Sequence, residues 1–326
     1  MFTPHSLGLA LLMMIASAVF WGSWANTYKG VKNYRFELFY WDYAVGIFLI
    51  SLILAFTMGS TGNDASSFLN NVRAADTTNI LWAMVGGAIF NLANLLLVAG
   101  IDMIGIAVAF PLSIGIALVV GVVSSYAFQP KGNAVLLAVG VICAVVAVLL
   151  DGLAYGSLAG AKSASKKGIV VCIVSGVLMG LWPRFMAGVM TNGQNGGPLS
   201  PYSAAVFLTL GALLSCLIWN VYFMKKPLLG EPVSFSGFFK TSFSNHLFGL
   251  LGGVLWGTAM VFNLVAANFT GVAISYAIGQ SAPMIAALWG VFIWKEFAGA
   301  PGKAKLYLAG MFAFYCLAIM FVAKAY

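Results

Sequence analysis

Long, uninterrupted apolar stretches dominate this chain of 326 residues. Hydrophobic residues make up 62% of the sequence and charged residues only 7%, whereas about 25% of an ordinary soluble domain is charged. The stretches are about twenty residues long and lack the alternation of membrane β-strands, so we interpret them as membrane-spanning helices. The predicted fold class is an all-α membrane protein with ten transmembrane helices. The predicted spans are residues 7–28, 37–58, 79–100, 103–127, 134–153, 168–190, 202–224, 246–266, 271–294 and 305–325.

Positive residues are concentrated in the loops that follow the odd-numbered spans. Of the 16 lysines and arginines, twelve lie there, three lie on the other side, and Arg184 lies within a span. Because cytoplasmic loops are enriched in positive residues, this pattern predicts cytoplasmic odd-numbered loops and both termini outside. We expect a multi-pass protein of the bacterial inner (plasma) membrane, with the lipid bilayer as its surroundings. The net charge of +8 is then a topology signal, and no nucleic-acid partner is expected.

A motif in the first span returns in weaker form half a chain later. The segment FWGSWANT at 20–27 corresponds to LMGLWPRF at 178–185, an offset of 158 positions, and residues 105–110 correspond to 271–276 at an offset of 166. Five spans per half is an odd number, so the second half must cross the membrane in the opposite sense. We therefore expect two inverted five-helix repeats in one membrane domain, residues 1–158 and 159–326. Such repeats are typical of secondary transporters.

Tryptophan residues lie deep within the predicted spans, close to glycine. Trp21 and Trp24 lie in span 1, Trp182 in span 6 and Trp256 in span 8. Tryptophan is common at membrane interfaces, which is one interpretation of these residues. The other is that their flat rings line a narrow cavity that takes a planar polar heterocycle or a sugar.

Amide side chains are a second set of candidate binding residues. Asn91 and Asn94 share one face of span 3, Asn263 lies in span 8, and Gln280 lies in span 9 close to a further candidate, Tyr276. Each amide offers donors and acceptors, which suits a ligand with ureido or amide groups. Hydrogen bonding between helices is the alternative interpretation.

Charged residues inside spans are costly, so each needs a partner or a function. An arginine at mid-membrane costs about 2.5–3.5 kcal/mol on insertion scales; Arg184 either snorkels to the outer interface or acts as a gate or substrate contact. Asp42 and Glu37 open span 2, where a carboxylate either carries a coupling proton or pairs with nearby basic residues. Glu296 is expected to pair with its neighbour Lys295.

The sequence offers little support for catalysis or metal binding. His5 and His246 are the only histidines, so a histidine-built metal or nucleophile site is not expected. Residues 156–163 (GSLAGAKS) imitate a phosphate-binding loop, but Ala161 stands where the pattern needs glycine, and no soluble α/β unit surrounds it. We expect no cofactor, no metal and no enzymatic activity.

The segments FWGSWANT at 20–27 and RFELFYWDY at 35–43 resemble the ureide permease family of the drug/metabolite transporter superfamily. Weaker similarity extends through AFPLSIG at 109–115, SGVLMGLW at 175–182, and Trp289 with Gly290 ahead of Glu296. The resemblance implies a ten-helix bundle of two inverted repeats, and uptake of ureides such as allantoin or of nucleobases such as uracil, with protons. Plant members carry a large insert between spans 5 and 6, whereas this connection is short here.

These features predict a secondary transporter that imports a small, neutral, planar, nitrogen-rich solute by alternating access. A central cavity is expected between spans 1, 3, 4, 6, 8 and 9, with Trp24 and Asn26 at its inner end and Trp182 and Arg184 at its outer end. A sugar or nucleoside transporter, or an exporter of drugs or metabolites, on the same scaffold is the alternative. The sequence leaves the cargo, direction, coupling ion and oligomeric state open.

Overall fold

The computed structural model describes residues 1–61, 67–158, 165–192 and 196–326, and only the backbone of residues 106 and 107. The predicted boundary between the two halves, and residues 159–163 of the stretch that imitates a phosphate-binding loop, therefore lie outside the described residues. Within them the chain forms helices and no strand, which confirms the predicted all-α fold class.

Ten helical segments of the described chain are long and apolar enough to cross a membrane, and each corresponds to a predicted span. We number them span 1 to span 10. They are Leu7–Lys29, Phe36–Ser60, Thr77–Ile104, Val108–Phe128, Ala134–Gly156, Lys166–Val189, Pro201–Lys225, Phe243–Thr270, Val272–Ile293 and Gly302–Lys324.

Two of the spans that line the centre of the bundle are interrupted. Span 1 consists of the helices Leu7–Ser23 and Asn26–Lys29. Span 9 consists of Val272–Gly279, Ala282–Leu288 and a terminal π-helix, Trp289–Ile293. Breaks inside a membrane are tolerated where the freed backbone is buried in protein or borders a cavity.

Polar capping residues set the starts of several spans. A side-chain oxygen just before the helix accepts a backbone N–H of the first turn, which would otherwise lack a partner. These caps extend span 3 and span 8 a few residues beyond the bounds that apolar character alone predicts. The capping residues are Ser6, Asp76, Asn133, Ser165, Ser200 and Ser242.

Spans 3 and 8 match each other in length and in the way they end. Each has 28 residues, or about 42 Å at 1.5 Å per residue. Gly105 (φ 80°) follows span 3 and Gly271 (φ 93°) follows span 8, and a new helix begins directly after each. A left-handed backbone of this kind favours glycine. Asn79 and Asn245 lie at matching positions, and each donates to a backbone carbonyl of a distant loop, that of Asn192 and of Lys32 respectively.

Glycine brings pairs of spans into backbone contact, and these contacts also recur in both halves. An added Cβ would overlap a backbone atom of the neighbouring span at each of four glycines. Small residues of this kind let membrane helices approach closely. The contacts are Gly87 with Leu208 (spans 3 and 7), Gly253 with Tyr43 (spans 8 and 2), Gly22 with Ala282 (spans 1 and 9), and Gly180 with Ala117 (spans 6 and 4).

The two ends of the bundle differ in charge. The loops after spans 1, 7 and 9 meet at one end, which we call the basic end, through contacts such as Lys29 with Glu296 and Arg35 with the Glu231 carbonyl. The chain termini lie at the opposite end, where the amino group of Met1 bonds to the loop after span 2 and the carbonyl of Ala325 bonds to the loop after span 4.

Replacing Gly87 by alanine should destabilise the bundle, because the new methyl group would overlap the Leu208 carbonyl oxygen. Overpacking of this kind costs about 1–3 kcal/mol. Gly115, in span 4, is the matched control, since an added Cβ there has no neighbour within 4 Å. Thermal unfolding in detergent should show a lower melting temperature for Gly87→Ala and an equal or higher one for Gly115→Ala. Equal melting temperatures for all three proteins would contradict the close contact.

Candidate functional site

A cavity of about 100 Å³ lies at the centre of the bundle. Residues of spans 1, 3, 4, 6, 8 and 9 line it, which are the six spans expected from the sequence. Apolar side chains complete the lining, and none of the residues that border the cavity is charged. Six of the predicted site residues border it: Trp21, Trp24, Asn94, Trp182, Trp256 and Gln280.

Aromatic rings form the walls of this cavity. The ring of Trp21 meets Trp182 edge to face, with centroids 6.3 Å apart, and lies 5.8 Å from Trp256. Phe90 stacks on Trp256 at 4.3 Å. These offset and edge-to-face arrangements are the favoured geometries for aromatic pairs, so the rings support one another. The site therefore offers flat faces in fixed orientations.

Polar groups without partners lie among these rings. The Trp21 Nε1 atom and the Tyr276 hydroxyl are buried and have no hydrogen-bond partner within the described part of the chain. Tyr276 contacts the cavity wall through Trp182, whose ring it meets edge to face at 5.7 Å. A buried donor left unpaired costs about 1–3 kcal/mol. Such a cost at a cavity is expected where a ligand supplies the missing partner.

Two of the predicted amides bond helices together and do not border the cavity. Asn91 donates to the Ala212 carbonyl at 3.1 Å and to Ser215 Oγ at 2.7 Å, which joins span 3 to span 7. Asn263 of span 8 donates to the Ser275 carbonyl of span 9 at 2.9 Å, and the Ser275 hydroxyl donates back to the Asn263 carbonyl at 2.6 Å. These contacts match the interhelical interpretation of both residues.

Asn26 and Arg184 lie at opposite ends of the bundle, away from the central cavity. Asn26 Oδ1 accepts a hydrogen bond of 2.6 Å from Trp294 Nε1 at the basic end. The Arg184 guanidinium lies 4.4 Å from the ring centre of Phe128 at the other end. Asn26 and Arg184 are 158 positions apart and Phe128 and Trp294 are 166 apart, which are the two offsets at which the sequence motifs recur.

The two acidic residues of span 2 pair with neighbours at the basic end and do not border the cavity. Asp42 Oδ2 lies 2.8 Å from His246 Nδ1 and accepts a hydrogen bond from the Tyr34 hydroxyl at 3.2 Å. Burial, with the nearby Asp42 charge, raises the pKa of Tyr34. Glu37 accepts two hydrogen bonds from Arg35, which raises the pKa of that guanidinium. Glu37 therefore pairs with Arg35, one of the nearby basic residues that the simpler interpretation expects, whereas Asp42 pairs with His246, which that interpretation did not include.

Glu296 does not pair as the sequence suggests. Its Oε1 atom lies 2.5 Å from Lys29 Nζ of span 1, and its Oε2 atom accepts from the Tyr155 hydroxyl of span 5 at 3.1 Å. The backbone explains the difference, because Lys295 has a positive φ of 53° and the Glu296 N–H bonds back to the Gly290 carbonyl. The prediction of a Lys295–Glu296 pair is therefore wrong.

Sequence reasoning also missed a buried acid in span 5. Asp151 is only 5% exposed, and its Oδ1 atom has no hydrogen-bond partner among the described residues. A carboxylate inside an otherwise apolar span was the available signal, since such residues are rare and often functional.

Ten membrane-spanning helices around an aromatic, uncharged cavity define a multi-pass membrane transporter, with the lipid bilayer and a small-molecule substrate as its partners. The sequence model of the ureide permease family matches residues 39–167 and 161–324. The chain therefore belongs to the ureide permease family, whose members are transporters and not enzymes.

Named relatives are similar over nearly the whole chain. Ureide permease 1 of Arabidopsis thaliana is 22% identical over 380 aligned positions, which cover 98% of this chain and 97% of the plant protein. The alignment is longer than the 326 residues here, so the plant protein has residues that this chain lacks. The glucose uptake protein GlcU of Staphylococcus xylosus is 23% identical over 301 positions, which cover 88% of each chain.

One solved crystal structure has a similar fold. It superimposes with a TM-score of 0.64 at 15% sequence identity, and the match covers 95% of this chain and 96% of the other. At that identity the similarity concerns the fold alone.

Replacing Asn263 by alanine should lower stability, because it removes the bond that joins span 8 to the Ser275 carbonyl of span 9. Loss of a buried hydrogen bond of this kind costs about 1–3 kcal/mol. Thr258→Ala is the matched control in the same span, since the Thr258 hydroxyl bonds only to its own helix at the Val254 carbonyl. Thermal unfolding should separate the two variants. An Asn263→Ala protein as stable as the control, but impaired in solute binding, would favour a direct contact with substrate.

Proposed function

We propose that this transporter imports a small, neutral, planar, nitrogen-rich solute such as the ureide allantoin or the nucleobase uracil. The composition of the central cavity is the observation that carries this proposal. Flat tryptophan faces border it together with the amides of Asn94 and Gln280 and the unpaired indole N–H of Trp21. Rings suit a planar ligand, amides suit ureido groups, and the uncharged lining favours a neutral solute. The names of the plant relatives support the same class of cargo.

Alternating access is part of the proposal. A volume of about 100 Å³ is small beside the 300–1,000 Å³ or so of typical ligand pockets. We infer that the bundle is in a closed arrangement whose cavity widens as one end opens. The interrupted spans 1 and 9 border the cavity, and discontinuous helices are common at transporter binding sites.

We further propose that residues 1–158 and 159–326 are inverted repeats that rock against each other. The matched lengths and glycine ends of spans 3 and 8, and the paired glycine contacts, support this arrangement. The basic end would face the cytoplasm, with both termini outside a plasma membrane, because positive loops stay inside.

The contacts at the two ends are proposed as gates. Asn26 with Trp294 would close the basic end, helped by Lys29, whose Nζ lies 4.7 Å from the ring centre of Trp294. Arg184 on Phe128 would close the other end. Because these pairs are repeat equivalents, opening one while the other stays closed gives access from one side at a time.

Coupling to protons is also proposed for this transport. Asp42 and Glu37 are the carriers that the sequence suggests, but their pairs with His246 and Arg35 favour the structural alternative for both. Neither carboxylate borders the central cavity, so neither would directly contact a solute bound there.

A sugar is the second candidate cargo, because two bacterial relatives are named as a glucose uptake protein and a probable glucose uptake protein. Aromatic faces also bind the apolar faces of sugar rings, so the tryptophan walls suit both classes. The two classes of cargo differ in how many of the amide and indole donors at the cavity their acceptor groups can satisfy.

Purified protein in liposomes should take up radiolabelled allantoin or uracil with saturable kinetics, and glucose more weakly. Trp21→Phe should weaken binding of the transported solute by up to about tenfold, because it keeps the ring and removes one hydrogen-bond donor. Trp41→Phe is the matched control, since Trp41 Nε1 contacts Met224 Sδ outside the cavity. Uptake of glucose or nucleosides without allantoin or uracil would reject the proposed cargo. Equal affinities of the two variants would place the solute elsewhere.

Replacing Arg184 by alanine should slow transport and leave solute affinity unchanged, because the stack on Phe128 lies outside the central cavity. Arg184→Lys tests the planar stack separately from the charge, since lysine keeps only the charge. The measurement compares initial uptake rates with equilibrium solute binding on the same protein preparation. Normal transport by Arg184→Ala would favour the alternative interpretation, in which the Arg184 side chain snorkels to the outer interface.

A further inference from the structure

Asp151 is a buried acid that neither the cavity nor the proposed gates use. Its side chain belongs to span 5, is 5% exposed, and has an unpartnered Oδ1 atom within the described chain. No basic side chain of the described residues pairs with it. An isolated carboxylate charge in a dry apolar setting is very costly, so the neutral form, which carries a proton, is favoured there. Intramembrane acids of this kind mark proton relays in pumps and transporters.

The titratable groups that face Asp151 are phenols. Tyr155 follows it by four residues on the same helix face, and Tyr315 of span 10 lies fully buried on the helix packed along span 5. Spans 4 and 9 also pack on span 5; the Tyr126 hydroxyl of span 4 donates to the Gly132 carbonyl, and the Tyr276 ring of span 9 packs on Trp182 while its hydroxyl has no partner among the described residues.

Tyr155, one helical turn beyond Asp151, connects to the basic end through bonded side chains. The Tyr155 hydroxyl donates to Glu296 Oε2 at 3.1 Å, and Glu296 Oε1 lies 2.5 Å from Lys29 Nζ. Tyr155, Glu296 and Lys29 all line a cavity of about 900 Å³ at that end. Gly290 leaves room for the pair, because an added Cβ there would lie 2.7 Å from Glu296 Oε2 and 2.9 Å from the Tyr155 hydroxyl.

The backbone that holds Glu296 is unusual. Span 9 ends in the π-helix Trp289–Ile293, and Lys295 then adopts a φ of 53°. π-helical turns are frequent at functional sites, and a positive φ outside glycine is uncommon. This segment bridges span 1 through Lys29 and span 5 through Tyr155. A movement of span 9 away from span 1 would therefore separate Glu296 from Lys29.

We propose that Asp151 carries the coupling proton and that Tyr155 and Glu296 transfer it to the basic-end cavity; this inference rests on the proposed transport function. The transfer requires a movement that brings Asp151 into hydrogen-bond contact with the Tyr155 oxygen; Asp151 then gives its proton to that oxygen as the Tyr155 hydroxyl gives its own proton to Glu296 Oε2. Asp151 becomes a carboxylate, Glu296 becomes neutral, Tyr155 is unchanged, and the total charge is conserved. Lys29 pairs with the Glu296 carboxylate in the closed arrangement, and a movement of span 9 away from span 1 would break that pair.

The comparison with Asp42 explains the choice of Asp151. Asp42 is compensated by His246 at 2.8 Å and by the Tyr34 hydroxyl at 3.2 Å, so its charge is already stabilised. Asp151 has no such compensation among the described residues. Gain or loss of a proton at Asp151 therefore changes the local electrostatic field more than the same event at Asp42.

The test uses the full chain in liposomes, with radiolabelled allantoin or uracil and an imposed pH gradient. Asp151→Asn should lose accumulation driven by the gradient, with the internal to external ratio falling to about one, and should keep exchange of labelled for unlabelled solute. Asp42→Asn should keep accumulation, and Asp151→Glu should restore part of it. Accumulation that survives in Asp151→Asn, or that is lost in Asp42→Asn alone, overturns the inference. Loss of exchange as well in Asp151→Asn, in a protein with normal thermal stability, also overturns it.

A second measurement needs no transport. Infrared difference spectra recorded between acidic and alkaline pH should contain the C=O stretching band of a protonated carboxyl group, and Asp151→Asn should remove it whereas Asp42→Asn should not. An unchanged band in Asp151→Asn contradicts the assignment. If the wild-type protein moves neither solute, the proposed function fails, and the infrared band still decides whether Asp151 holds a proton.

Discussion

Contact between the backbones of neighbouring spans, at glycine, is the interaction on which the bundle depends. Lipid tails are as apolar as leucine, so helices in a membrane gain little from the hydrophobic effect and associate through close packing and hydrogen bonds. Gly87 and Gly253 supply this closeness where span 3 meets span 7 and span 8 meets span 2. An interhelical bond from Asn91 adds to the contact between spans 3 and 7, and one from Asn263 joins span 8 to span 9. The helix pairs formed in this way lie outside the centre of the bundle, and the aromatic residues fill that centre.

The centre differs from the periphery because large rings replace small residues there. Trp21, Trp182 and Trp256 meet in edge-to-face and tilted pairs, which hold their faces apart and leave a small uncharged space. A core of aliphatic side chains would close such a space, since interiors pack to the density of organic crystals. The buried N–H of Trp21 has no partner in the described chain, a cost that close packing alone does not explain. A ligand that is both planar and polar explains the ring geometry and the free donor together.

The ten spans and the cavity-lining helices were predictable because they follow from local signals. Apolar length identifies a span, and glycine beside Trp21 or Trp182 indicates a ring in a crowded interior. The partners of polar side chains were not predictable, because they depend on contacts between distant segments. Asp42 meets His246 across 204 positions, and Asn263 turns toward span 9 because of the bend after Gly271. The predicted starts of spans 3 and 8 lay too far along the chain, because a polar cap extends a helix beyond its apolar part.

The two ends of the bundle are equivalent in position and different in chemistry. Asn26 with Trp294 holds the basic end by a hydrogen bond, and the nearby ion pair of Lys29 and Glu296 is partly exposed, a setting in which such pairs contribute about 0–1 kcal/mol. Arg184 holds the other end through the face of Phe128, and such contacts contribute about 0.5–2 kcal/mol. Closures of this size are weak enough for a protein whose states differ by a few kcal/mol to exchange between them. The described carboxyl and ammonium groups of the proposed closures, Glu296 and Lys29, lie at the basic end, so under the proposed proton coupling a change in proton occupancy would act on that end and would give the transport cycle a direction.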